Sequence, residues 1–152
     1  MFLPTNLEEM QARGWSELDV LLISGDAYLD HPSFGVPLLG RVLESAGYRV
    51  GILAQPQWKD LSEISSMGRP KLFCGVSAGT MDSLLNIYTS NRRLRDYDSY
   101  SPGGRPGLRP ERATLVYCNL VRQCFKGLPL VIGGIEASLR RFTHYDFWEN
   151  RL

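Results

Sequence analysis

Apolar residues cluster in four short runs, at 18–24, 49–54, 72–76 and 128–132, separated by stretches with helical spacing. Runs of this kind are the pattern of strands covered on both faces, as in a parallel sheet. Between the first two, apolar residues recur at 36, 38, 39, 42, 43 and 46, which predicts a helix over 35–46 ended by Gly47. A short helix is expected over 7–13, with Thr5 or Asn6 as its cap and Glu8 and Glu9 in its first turn. Another is expected over 59–67, closed by Gly68 and Pro70, and a third over 81–88. A long helix is predicted over 110–126, with Pro110 in its first turn and Gly127 at its end. The alternation of strands and helices implies a doubly wound, Rossmann-like or flavodoxin-like parallel sheet of order 2-1-3-4, layered α/β/α, in one domain over residues 1–152.

One stretch breaks this rhythm. Residues 89–109 show no apolar period and carry Gly and Pro at 102–104 and 106–107, so they are expected to be a long insert, mobile or ordered only by a partner. Arg92, Arg93, Arg95, Arg105, Arg109 and Arg112 alternate there with Tyr97 and Tyr100, Tyr88 lying just before them. That mixture suits RNA phosphates and stacked bases, an interface with another domain, or a solvated loop. Asp96, Asp98 and Glu111 dilute the charge, which makes nucleic acid the less favoured partner.

With 152 residues, 43% of them hydrophobic and 22% charged, the chain has the composition of a soluble globular domain. A net charge of +1 gives no whole-molecule attraction to nucleic acid or membranes. Neither a signal peptide nor a membrane-length apolar run is present, so a cytoplasmic location is expected. Cys74, Cys118 and Cys124, spaced by 44 and 6, form neither a disulfide framework nor a zinc pattern. The aromatic-rich stretch 144–152 brings no closing strand, leaving an open sheet edge beside the last strand. The chain is therefore expected to be a piece of a longer protein.

Three of the runs open into glycine-bearing turns: Gly25-Asp26 through Asp30-His31, Ser77-Ala78-Gly79-Thr80, and Gly133-Gly134. In a parallel sheet these turns share the carboxyl edge, where open α/β sheets place ligands. Asp26, Asp30, His31, Ser77, Thr80, Gly133 and Gly134 are accordingly the candidate cofactor-binding residues. The paired glycines permit close backbone approach, and the helix start at 135–139 could offer N–H groups to an anion. The same residues also suit plain turns, with Asp26 and Asp30 bonding their own backbone. Asp26, Asp30, His31, Asp82, Glu136 and His144 could be gathered as a metal set, but no pair has ligand spacing on a helix, and no metal is expected. Phosphate-loop, dinucleotide and nucleophile-elbow motifs are absent, and no catalytic residue is assigned.

Six strings carry a resemblance: GDAYLDHPSFG, GRVLESAGYRVGILAQP, GVSAGTMDS, YTSNRRLRDYDSYSPGG, RPERATLVY and GGIEASLRRFTHYDFW. Together they resemble the N-terminal region of YgiQ-type radical SAM proteins, over nearly the whole chain. The resemblance implies an accessory N-terminal domain, similar to cobalamin-binding Rossmann-like domains, that positions substrate or cofactor for a downstream radical SAM barrel. It implies a C-x-x-x-C-x-x-C motif in that barrel, a [4Fe–4S] cluster and S-adenosylmethionine. This chain has no such motif, so no cofactor is expected in it alone. Cobalamin stays open: the D-x-H-x-x-G signature is missing, because Asp30 and His31 are adjacent, while Gly133-Gly134 resembles the pair beside that cofactor's nucleotide tail. Two alternatives remain beside the accessory role. One is a standalone module for a cobalamin-like or nucleotide-like ligand; the other is an RNA-contacting module using 90–112.

Overall fold

The computed structural model describes residues 1–141 and 149–151. The chain runs α1 (Leu7–Ala12), β1 (Val20–Ser24), α2 (Gly35–Ser45), β2 (Val50–Ala54), α3 (Ser62–Ser65), β3 (Phe73–Ser77), α4 (Ser83–Ile87), a 3-10 turn (Pro102–Gly104), α5 (Ala113–Cys124), β4 (Leu130–Gly133) and α6 (Ile135–Arg141). The four strands form one sheet of order β2-β1-β3-β4, every pair parallel. This is the Rossmann-like architecture expected from the apolar runs.

Alternation along the strands divides the core in two. Leu21, Ile23, Cys74 and Val76 face one way and pack with Met10, Ile64, Met67, Tyr117 and Val121 from α1, α3, α5 and the segment after α3. Val20, Leu22, Val50 and Ile52 face the other way and pack with Leu3 and with Val36 of α2. Each fully buried aliphatic side chain contributes about 1.5–3 kcal/mol. The segment before α1 also covers the outer edge of β2, where the Ile52 N–H donates to the Pro4 carbonyl (2.9 Å). Among the described residues, no helix is long and apolar enough to cross a membrane.

Three elements depart from the expected pattern. The helix expected over 59–67 is a single turn, because side chains there bind backbone N–H groups outside a helix. Gln57 Oε1 accepts from the Trp58 and Lys59 N–H groups (2.7 and 3.1 Å), and Asp60 Oδ1 from Ser62 N–H (2.8 Å). Helix α5 starts at Ala113 rather than in a turn led by Pro110, after Arg112 in the left-handed region (φ 52°). Strand β4 is an apolar run with exposed side chains, so continuous apolarity did not report two-sided burial there.

Residues 89–109, expected to be a long insert that is mobile or ordered only by a partner, make contacts with the turns at the carboxyl edge. Thr89 and Arg93 close a turn through the Thr89 N–H to the Arg93 carbonyl (2.8 Å), and Ala27 N–H donates to the Tyr100 carbonyl (2.8 Å). The Tyr100 ring meets Phe34 edge-on with centroids 6.4 Å apart. Asp98, Ser101, Gly104 and Arg109 are buried. The stretch from His144 to Leu152 falls mostly outside the described residues; of it, Glu149 pairs with Arg112 and Arg151.

Strand β1 ends in a close backbone approach. A Cβ on Gly25 would stand 2.1 Å from the Ala78 carbonyl oxygen, with backbone on both sides. The Gly25→Ala variant is expected to lose about 1–3 kcal/mol or more. Gly35→Ala, where a Cβ meets open space in the first turn of α2, should stay within about 0.5 kcal/mol of the parent. Urea unfolding midpoints of the two variants check the contrast.

Candidate functional site

The turns after β1 and β3 meet at the carboxyl edge, as the topology requires. Gly25 N–H donates to the Ser77 carbonyl (3.0 Å) and the Asp26 N–H to Ser24 Oγ (3.0 Å). The Asp26 carboxylate then reaches across the switch point. Its Oδ2 accepts from the Thr80 N–H (2.6 Å) and the Thr80 hydroxyl (2.8 Å). Gly79 lies against this carboxylate: its φ is +106°, and a Cβ there would fall 2.1 Å from Asp26 Oδ1. Only glycine satisfies both the left-handed backbone and the approach.

The insert completes the cluster. Arg109 has a fully buried side chain and sits 3.1 Å from Asp26 Oδ1 through Nη1. The same Nη1 donates to the Ala78 carbonyl (3.1 Å), while Nε and Nη2 grip the two oxygens of Asp98 (2.9 and 3.3 Å). Asp98 also accepts from the Tyr100 N–H (2.9 Å) and the Ser101 hydroxyl (2.8 Å), and Gln55 Nε2 donates to Ser101 Oγ (2.7 Å). Burial pushes the Asp98 carboxyl up, but Arg109 and the other donors outweigh it and hold it below the usual carboxylate range. The β1/β3 crevice is thus filled by one cation and two carboxylates of the chain itself.

A third buried carboxylate organises the starts of α4 and α5. Glu136, 1% exposed in the first turn of α6, accepts from the Ser83 N–H (2.7 Å), the Ser83 hydroxyl and the Thr114 N–H (3.0 Å). Ser83 Oγ in turn accepts from the Ala113 N–H (2.9 Å). The first N–H groups of α5 lack a side-chain cap from Arg112 and find it here, which is where orphan amides and the helix dipole favour an anion. Asp82 caps α4 through the Leu84 N–H (2.9 Å) and pairs with Arg140 (3.3 Å).

The structure therefore gathers part of the predicted set. Asp26, Ser77 and Thr80 share the turn cluster, and a Cβ on Gly134 (φ +89°) would stand 2.7 Å from Ser77 Oγ. Asp30 turns elsewhere: Arg41 of α2 holds its carboxylate and keeps it below the usual range. His31 is exposed, its Nδ1 accepting from the Ser33 N–H (3.2 Å) within its own turn. Gly133 is exposed, and a Cβ there would meet nothing within 4 Å. The open surface of the predicted site thus runs over Thr80, Gly133 and Gly134. A separate cleft of about 420 Å³ lies at the end of β2, lined by residues including Thr5, Tyr28, Pro56 and Glu63.

Sequence reasoning missed Arg109 as a core cation, Asp98 as its partner and Glu136 as a helix cap. Only Glu136 carried a local signal, a carboxylate two residues after the Gly133-Gly134 turn. Among the described residues, no three His, Cys, Asp or Glu side chains are grouped to hold a metal; His144 lies outside them. Cys74 is buried, and that burial pushes its thiol up to about 12.

The radical SAM N-terminal family profile matches residues 2–152. A UPF0313 protein of Vibrio vulnificus is 55% identical over 151 residues, which cover 99% of this chain and 20% of that protein. One from Thermotoga maritima is 55% identical over 152 residues, 100% of this chain and 27% of that protein. One from Pseudomonas syringae is 51% identical over 151 residues, again 20% of its length. The chain spans about a fifth to a quarter of these curated relatives. No solved structure matches it.

Arg109→Ala leaves two buried carboxylates without their cation and should cost about 3–5 kcal/mol. Arg105→Ala, on the exposed side of the same segment, should cost no more than about 0.5 kcal/mol. Adding Asp26→Asn and Asp98→Asn to an Arg109→Met background should restore part of the loss. Urea unfolding of the four proteins reads this out.

Acid should act on the same segment. The folded Asp98 carboxyl titrates below its unfolded value, so its stabilisation is complete above the unfolded value and is lost as pH falls through the folded one. Asp19, lowered to about 2 by Arg49, behaves likewise. Trypsin cleavage within 89–109 should therefore stay slow at neutral pH. At successively lower pH, amide protection there, relative to the intrinsic exchange rate at each pH, should fall below about pH 4.

Proposed function

The chain belongs to the radical SAM N-terminal family, and we propose that it is the accessory Rossmann-like domain of a radical SAM iron–sulfur enzyme, holding substrate or cofactor for a catalytic barrel elsewhere in the same protein. The observation that carries this reading is the mismatch between family and cysteines. Membership implies a [4Fe–4S] cluster and S-adenosylmethionine, yet Cys74, Cys118 and Cys124 do not fit a cluster. Their spacings are 44 and 6, two of the three are buried, and burial raises all three thiols. The cluster ligands then belong to the remaining three-quarters or more of the protein, and this domain serves them by binding and placement.

A second reading is a binding module for a cobalamin-like or nucleotide-like ligand at Ser77, Thr80, Gly133 and Gly134. It is favoured by the open space over Gly133 and the exposed Thr80 on the neighbouring turn. Asp26 supports that surface from below, while Asp30 and His31 are engaged outside it. An RNA-contacting role for 90–112 is less well supported. Arg109 is buried and paired with Asp26 and Asp98, which removes one of the cations it needs.

The full-length protein, purified and reconstituted with iron and sulfide without oxygen, should form 5′-deoxyadenosine from S-adenosylmethionine when reduced with dithionite. Absence of that product in a cluster-loaded protein overturns the enzyme reading. Titration of the same protein with S-adenosylmethionine, hydroxocobalamin and ADP tests the site. Gly133→Val adds bulk over the turn without an internal clash and should weaken whichever ligand binds this domain at least about tenfold. Arg69→Ala, at the opposite end of the sheet, should not. Equal affinities in the two variants place the ligand elsewhere.

A further inference from the structure

The two edges of the sheet are treated differently. The β2 edge is closed by the chain's own start: Leu3 is fully buried, and the Pro4 carbonyl accepts from Ile52. Among the described residues, nothing pairs with the outer edge of β4. Val131 and Ile132 are 54% and 56% exposed, and alternation puts them on opposite faces of the sheet. By contrast Val20 to Ile23 of β1 are at most 6% exposed. On α6, Ile135 and Leu139, four residues apart and so on one helix face, are also about half exposed.

The register fixes which backbone groups are open. Cys74 N–H donates to the Pro129 carbonyl (3.0 Å), and Cys74 is level with Leu130. Parallel pairing uses alternate residues of each strand, so 129, 131 and 133 face β3. The N–H and C=O groups of Leu130 and Ile132 therefore face outward. Though only four residues long, an apolar edge with unpaired backbone is a template for pairing with another segment.

We propose that the polypeptide following residue 152 in the full-length protein returns to lay a fifth strand parallel to β4, covering Val131, Ile132 and the Ile135–Leu139 face of α6. This rests on the reading that a catalytic region follows in the same protein. Three observations select that occupant. The matched region is only 20–27% of the relatives' length and is the N-terminal family domain, so ample chain follows. Helix α6 follows the carboxyl end of β4 directly, as the helix of a right-handed crossover does. Sheet growth has already proceeded outward from β1 through β3 to β4. A strand anchored there ties the Gly133-Gly134 turn rigidly to whatever follows it.

The test uses the full-length protein. Amide exchange of Leu130 and Ile132 should be slowed at least about 100-fold relative to the unfolded chain, independent of protein concentration. With p-benzoylphenylalanine in place of Val131, irradiation should give an intrachain link to a residue beyond 152. Unprotected Leu130 and Ile132 amides overturn the proposal. So does protection that rises with concentration together with interchain links, which would assign the edge to a second copy. A protein that forms 5′-deoxyadenosine while these amides exchange freely keeps its assigned function and loses this docking. Slow amides without that product do the reverse.

Discussion

Arg109 lies between Asp26 and Asp98 with its side chain wholly buried, and the arrangement of the carboxyl edge depends on that triad. Burying one cation between two carboxylates costs desolvation that only close geometry and further hydrogen bonds offset. Both are present: Ala78, Thr80, Tyr100 and Ser101 supply them. One constraint thus joins the β1 turn, the β3 turn and a loop that otherwise has little apolar reason to fold. It also consumes the crevice at the topological switch point, where such sheets usually receive a ligand. The surface left open shifts one strand over, to Thr80 and the Gly133-Gly134 turn.

The arrangement suits an accessory domain. Its polar chemistry is directed inward: Asp26, Asp82, Asp98 and Glu136 each hold backbone amides, and all but Glu136 also pair with an arginine. None is placed as a free acid–base pair, and Ser77 Oγ serves the Gly79 N–H (3.1 Å). A region built this way offers shape and a fixed backbone surface, which is what the proposed accessory role requires.

The strands were legible because their signal is local. Leu21, Ile23, Cys74 and Val76 lie in short apolar runs, and the helices between them dictate parallel order. The insert was not legible, because what orders it is long-range and polar. Nothing about Arg109 in the sequence distinguishes it from Arg105, yet one is buried and the other exposed. Pro110 gave a genuine helix-start signal, but α5 begins at Ala113 because its caps, Ser83 and Glu136, come from 30 and 22 residues away. Part of the candidate site was readable as a shared sheet edge. Asp30 and His31 share that turn in sequence, but pairing with Arg41 and local bonding draw them aside. Val131 and Ile132 show the limit of the burial inference: they lie in an apolar run as continuous as that of β1, yet are half exposed.

Glu136 has a consequence in time. Two helices that precede it in the chain, α4 and α5, rely on its carboxylate for their leading amides. During synthesis those helices emerge first, and their capping group follows 22 residues after Thr114. Translation adds about 5–20 residues per second. For seconds, then, the start of α5 has been made without its anion, while α4 already carries the Asp82 cap. Strand β4 and the anion that caps α5 therefore reach the growing chain within a few residues of one another.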